Sequence, residues 1–246
     1  MDQLRVIELN NSGVAAMEKG EHKAAVPYLA NALKESKRIL SRATSSNQIP
    51  QERKFGNSTW CQEGEKYSLD YLMTYNSTPI SIGYGDDEES RTTIQHDANF
   101  LYRQPIPIKT LDTLPNDDFQ SSIMLSTVVI FNLALAYHLA ALSPNEVSAS
   151  EMLTKAAKLY EYGFELQRSQ QTVSCDLFML ATVNNLGLVR LSLGELERGR
   201  SYFQKLLSTL IFLIDTRQID HLSSIEFFVR NATFVIFSGG AAAAAA

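Results

Sequence analysis

Between Val183 and Leu210 the chain reads VNNLGLVRLSLGELERGRSYFQKLLSTL, with apolar positions recurring at steps of three and four. That period predicts two amphipathic helices folded back on each other. Gly194 falls where the first should stop, at the position after a helix that favours glycine. Gly187 and Gly199 lie twelve residues apart, one inside each helix. Glycine in a helix interior costs ~1 kcal/mol against alanine, so close approach of the two backbones is the expected compensation. Phe203 and Leu206 follow Gly199 on the same face.

The same spacing recurs upstream. Leu4 to Lys19 predicts a helix ending at Gly20, and His22 to Ser41 a second one. Gly13 and Ala25 are again twelve apart, with Leu29 and Ala32 following at +4 and +7. Pro27 is expected in the first turn or so, where its missing N–H is tolerated. A helix from about Phe119 to Leu142 is stopped by Ser143-Pro144. The next, about Ala149 to Gln167, is expected to open with a capping box of Ser148 and Glu151. Here Ala134, Tyr137, Ala156, Tyr160 and Gly163 carry the pattern, with about ten extra residues in the turn. A helix from Ile219 to Phe237 has no partner after it and is expected to act as a cap. The tail SGGAAAAAA is of low complexity and carries no fold argument.

These units resemble tetratricopeptide repeats over residues 6–40, 127–167 and 180–213. The resemblance rests on small-x₂-Tyr followed by small-x₃-aromatic-x₂-small. Asn-Asn-Leu-Gly in the third unit and Asn-Asn-Ser-Gly in the first are similar to the kinesin light chain type. The pattern is departed from at Ala16 and Arg190, where the family favours tyrosine, and the family's first tryptophan is absent from every unit. The resemblance implies an all-α, right-handed solenoid of antiparallel helical hairpins. It implies binding of extended peptides or partner helices in a concave groove, and no catalysis. The expected organisation is a first hairpin over 1–42, a largely irregular insertion over 43–118 with possible short strands, two hairpins over 119–214, a capping helix over 215–238 and the tail 239–246.

An asparagine stands two residues before the small residue of each first helix: Asn11, Asn132 and Asn185, with Asn231, two before Thr233, as the candidate equivalent in the cap. In related repeats this position faces the groove. An asparagine amide can donate to a peptide carbonyl and accept from its N–H together, so it can grip backbone whatever the side chain. The bland alternative is bonding to neighbouring helices or solvent. The other positions expected in the groove are Ile7, Asn10, Val14, Val128, Phe131, Leu135, Ala181, Asn184 and Leu188. The family's chaperone adaptors clamp a terminal carboxylate with basic and amide groups. Val14 and Ala181 stand where such a clamp would need them, so an uncharged extended segment is the expected ligand.

The insertion loses the helical period. Within it, NFLYRQPIPI (99–108) reads as extended, because alternate prolines push the residues before them out of the helical region. Tyr102 and Ile106 would anchor one side and Arg103 would point out. Lengthening a turn from ~4 to ~75 residues adds only ~2.5 kcal/mol of closure entropy, so the insertion can persist without function. Alternatively, residues 96–110 could fill the chain's own groove, as a gate or permanently, or serve self-association.

Composition narrows the remaining classes. Apolar content of 45% supports a core. A net charge of −5 argues against nucleic acid as a partner, and Lys34, Lys37, Arg38 and Arg42 read as a solvated helix face. Cys61 and Cys175 form no disulfide framework or metal spacing. His22, His96, His138 and His221 are scattered, so no metal or other cofactor is expected. Gly83-Tyr-Gly85 is a turn rather than a dinucleotide loop, and three Asn-x-Thr/Ser matches at Asn57, Asn76 and Asn231 lack a secretory context. No membrane span is expected, Leu206 to Ile214 being taken as the most apolar stretch. The expectation is a cytoplasmic, non-enzymatic adaptor for a protein or peptide partner, or a scaffold closed by its own insertion.

Overall fold

The computed structural model describes residues 2–46, 101–109, 118–144, 146–168, 176–215 and 222–243. Among them are seven α-helices and no strand: α1 (Asp2–Glu18), α2 (His22–Ser46), α3 (Asp118–Ala141), α4 (Ala149–Arg168), α5 (Asp176–Ser192), α6 (Leu196–Asp215) and α7 (Leu222–Ala243). Each helix packs chiefly on its sequence neighbours, and α1 also meets α3 as α5 meets α7. Of the expected insertion 43–118, residues 43–46 continue α2 and residue 118 opens α3, while 101–109 are neither helix nor strand. The rest of it, together with Cys61, His96 and Cys175, lies outside the described residues.

Two turns close by one mechanism. At Gly20 and Gly194 the backbone adopts φ of +79°, a left-handed conformation that glycine enters without a Cβ penalty. Gly20 N–H donates to Met17 C=O and Glu21 N–H to Ala16 C=O, each at 2.9 Å. Gly194 and Glu195 repeat this on Leu191 and Arg190. Both are Schellman closures, which satisfy carbonyls the helix leaves open.

Several local expectations need correction. The capping box at Ser148 is not formed. Glu146 accepts from Ser148 N–H at 3.1 Å and Oγ–H at 2.6 Å, while Glu151 pairs with Lys155 one turn on. Glu146 also takes Lys23 of α2, so it ties the turn to the first hairpin. The Lys23 and Ser148 hydrogen bonds hold its carboxyl down at about 2. Pro27 lies six residues into α2 rather than in its first turn; it and Lys23, whose carbonyl would have been its partner, are both exposed. The last helix runs past Phe237 through Ser238-Gly-Gly into the alanines. The longest apolar stretch is not 206–214 but Ser121–Ala141 of α3, with mean hydropathy 1.8. By length and composition it could cross a membrane, but 94% of its apolar window is buried inside the protein. A helix apolar all round must be covered all round, and α3 is flanked by α1, α2 and α4 and crossed by the 101–109 segment.

The hairpins are closed by glycine contacts. A Cβ on Gly199 would lie 3.3 Å from the Gly187 carbonyl and 2.5 Å from a Leu191 methyl. One on Gly187 would meet the fully buried Phe203 ring at 2.7 Å, and one on Gly13 would meet Leu29 Cγ at 2.5 Å. Overpacking of this kind costs ~1–3 kcal/mol, against ~1 kcal/mol gained in helix propensity. Gly187→Ala is therefore expected to lower stability by about 1 kcal/mol net. Gly163→Ala, whose Cβ would sit 3.3 Å from one Ile130 methyl, is expected to be neutral. Urea midpoints of the two variants check the contrast.

Candidate peptide-binding site

The three asparagines that recur in the first helices converge on one segment. Asn185 of α5 accepts from Tyr102 N–H at 3.0 Å and donates to Tyr102 C=O at 2.9 Å. Asn132 of α3 does the same to Ile106, at 2.8 Å for each bond. Asn11 of α1 does so to Ile108, at 2.9 and 2.7 Å. Asn10 adds a second donor to the Ile106 carbonyl at 3.1 Å. Each of three side-chain amides thus closes a two-point contact with one residue's main chain. Such bonds contribute a net ~0.5–1.5 kcal/mol each, and Asn132 and Asn185 are fully buried.

The segment's sequence suits this grip. Tyr102, Ile106 and Ile108 must supply N–H groups and are not proline. Pro105 and Pro107 stand between the gripped residues and have no N–H to leave without a partner. Ile106 and Ile108 are buried to 2% and 0% exposure, and Leu101 is also buried; all three belong to the same apolar core as the helices. Tyr102 meets Phe131 edge-on with ring centroids 6.1 Å apart, and Phe131 in turn meets Tyr160 and Phe178. Arg103 and Lys109 are exposed.

The amides are themselves positioned by one another. Asn132 Nδ2 donates also to Asn10 Oδ1 at 2.9 Å, and Asn231 Nδ2 to Asn184 Oδ1 at 2.7 Å. In each case a later helix's asparagine reaches the first member of an Asn-Asn pair on an earlier one. The second unit has Phe131 where that first asparagine would stand. Asn185 accordingly finds the Tyr160 hydroxyl at 3.2 Å instead. Burial raises the Tyr160 phenol well above its ordinary range, so it stays protonated.

The remaining expected positions, Ile7, Val14, Val128, Leu135, Ala181 and Leu188, are all buried. The face they were expected to open to a ligand is thus covered in the chain as it stands. Asn231 bonds Asn184 of a neighbouring helix, the bland reading of that residue. Asn10, Ile108 and Tyr160 carry contacts that the recurring-asparagine pattern did not single out. The Asn-Asn doublets at 10–11 and 184–185 were the available signal for Asn10. Nothing local marked Ile108 above Ile106.

Behind the segment lies a buried histidine. His138 of α3 is 2% exposed, edge-on to Tyr160 at 6.2 Å, and its Nδ1 has no hydrogen-bond partner among the described residues. Burial first, and then the Arg103 charge, push its pKa from 6.5 down to about 3. The same causes, in the same order, lower His22. Above pH 6.5 the ring is neutral in folded and unfolded chains alike. As pH falls from 6.5 toward 3 the unfolded chain takes a proton that the folded chain refuses, so stability is lost over that window. His138→Phe is expected to flatten the fall in urea midpoint between pH 7 and 5, a range above the Glu146 transition, leaving a smaller slope from His22.

Among the described residues no group of His, Cys, Asp and Glu could hold a metal ion. The basic face of α2 is partly tied down: Asp2 pairs with Arg38 and Arg42, and Lys37 lies over the Tyr162 ring. No known family model, curated protein or solved structure matches the chain.

Proposed function

We propose that this chain is a non-enzymatic, tetratricopeptide-like interaction scaffold. Its helical hairpins stack as a right-handed solenoid, and its groove takes an extended, largely uncharged peptide segment. In the isolated chain residues 101–109 fill that groove. The observation that carries this reading is the two-point grip of Asn11, Asn132 and Asn185 on the N–H and C=O of Ile108, Ile106 and Tyr102. Side-chain amides that bond a residue's N–H and C=O are indifferent to its side chain, proline apart, which is what a peptide groove requires. A second reading is favoured by the near-complete burial of Ile106 and Ile108: the segment is a permanent part of the core and the scaffold serves through its outer surfaces.

Peptide-display selection separates the two. The wild type is compared with an Ile106→Asp/Ile108→Asp variant, which cannot bury two charges beside apolar residues. The adaptor reading expects extended uncharged sequences to enrich on the variant and not on the wild type, and to be lost when Asn132→Ala is added. A variant that stays helical by circular dichroism and enriches nothing leaves the permanent-core reading.

A further inference from the structure

The segment in the groove also specifies what else would fit there. Resting on the reading above, we infer that the groove's partner is a segment of another protein carrying an aromatic residue, proline at +3, aliphatic at +4, proline at +5 and aliphatic at +6, uncharged at the aliphatic positions. The aromatic and aliphatic positions of the pattern follow from contacts. The aromatic position meets the Phe131 ring edge-on. The two aliphatic positions are those that Ile106 and Ile108 bury. Their N–H groups are consumed by Asn132 and Asn11, so neither can be proline. The two prolines fall where the ladder makes no demand on an N–H, and their fixed φ lowers the entropy lost when the segment is held. The +1 position, Arg103, is exposed and is left open to any residue.

Selectivity arises from what surrounds those positions. Ile106 sits among Asn10, Asn132 and the apolar side chains of the core. A carboxylate or ammonium at +4 or +6 would lose its hydration with no charge to replace it. Acidic peptides are therefore rejected by desolvation. The pattern thus differs from ligands gripped through a terminal carboxylate, because the asparagines grip interior peptide groups, at Tyr102, Ile106 and Ile108.

The test uses the full chain and a fluorescent synthetic peptide of residues 99–110, NFLYRQPIPIKT. Two forms of the protein expose the groove. One is Ile106→Asp/Ile108→Asp. The other is the otherwise unaltered chain with specific protease sites placed within 90–98 and 110–117, cut after folding so that the native segment can exchange. The peptide is expected to bind both forms, with its affinity for the uncut wild type at least ~100-fold weaker, since the tethered copy competes at an effective concentration near millimolar. A peptide N-methylated at Ile106, which removes one ladder N–H, is expected to bind ~10-fold or more weakly, and an Ile108→Asp peptide not at all. The Arg103→Ala peptide is expected to stay within about threefold, as an exposed position should. If no form binds the parent peptide while the helices remain intact, the groove reading itself fails. If the parent binds but the N-methylated and Ile108→Asp peptides bind equally well, the groove stands and the partner pattern is wrong.

Discussion

Asn132→Ala is expected to lower stability by about 3 kcal/mol and to release residues 101–109 from the helices. The side chain makes three bonds: it accepts from Ile106 N–H, donates to Ile106 C=O and donates to Asn10 Oδ1. Asn10 Nδ2 donates to the same Ile106 carbonyl. Removing the Asn132 amide leaves Ile106 N–H and Asn10 Oδ1 without these partners in a buried site, at ~1–3 kcal/mol each. The carbonyl keeps Asn10. Asn132→Asp is expected to be worse despite its identical shape, because a carboxylate cannot donate to Ile106 C=O or Asn10 Oδ1 and would carry a buried charge. Asn11→Ala is expected to cost less, since Asn11 is half-buried and water can replace it. Urea denaturation gives the order. Protease cleavage within 101–109 shows whether the loss is concentrated there.

Arg190→Ala is the second large effect, expected at about 2–3 kcal/mol, below the ~3–5 kcal/mol of a fully buried broken pair. Its guanidinium, 8% exposed, donates to Glu161 Oε1 at 2.6 Å and to both oxygens of Glu195 at 2.8 and 3.0 Å. Glu161 belongs to α4, Arg190 to α5 and Glu195 to the turn before α6, so the cation joins one hairpin to the next. Arg198 and Tyr202 also reach Glu161, at 3.1 Å each. The carboxylates are a third exposed and retain Arg198, which is why the loss falls short of a fully buried charge. Arg190→Lys keeps the charge but not the forked geometry, and is expected to recover only part of the stability. A double-mutant cycle with Glu161→Ala should give a coupling of ~1–3 kcal/mol. A coupling near zero would mean that Arg190 acts through Glu195 and its packing, and not through Glu161.

Local chemistry carried much of the fold into the sequence. Gly20 and Gly194 mark their turns because a left-handed residue after a helix favours glycine, and the twelve-residue spacing of Gly187 and Gly199 reports a contact between consecutive helices. The all-helical class and most helix bounds followed from periodicity. The ladder was legible as recurring asparagines and the segment as alternating prolines, two patterns that suggested a common site. Their pairing was not legible, since Asn11 bonds a residue 97 positions away and no local pattern fixes which residue of an extended chain meets which amide. The same holds for Arg190 and Glu161, which are 29 apart. Arg190 reads in sequence as a departure from a family tyrosine, while its carboxylate partners come from other elements. At Ser148 the sequence offered two carboxylates. Glu146 prevailed over Glu151 because it bonds Lys23 as well, a contact visible only once the hairpins are assembled.

Amide hydrogen exchange across 101–109, resolved by residue, tests the central claim most directly. The ladder predicts strong protection, at least ~100-fold over an unstructured peptide, at Tyr102, Ile106 and Ile108, weakened at Ile106 first in Asn132→Ala. Exchange at unstructured rates at all three amides, in a protein whose helices are protected, would contradict the account.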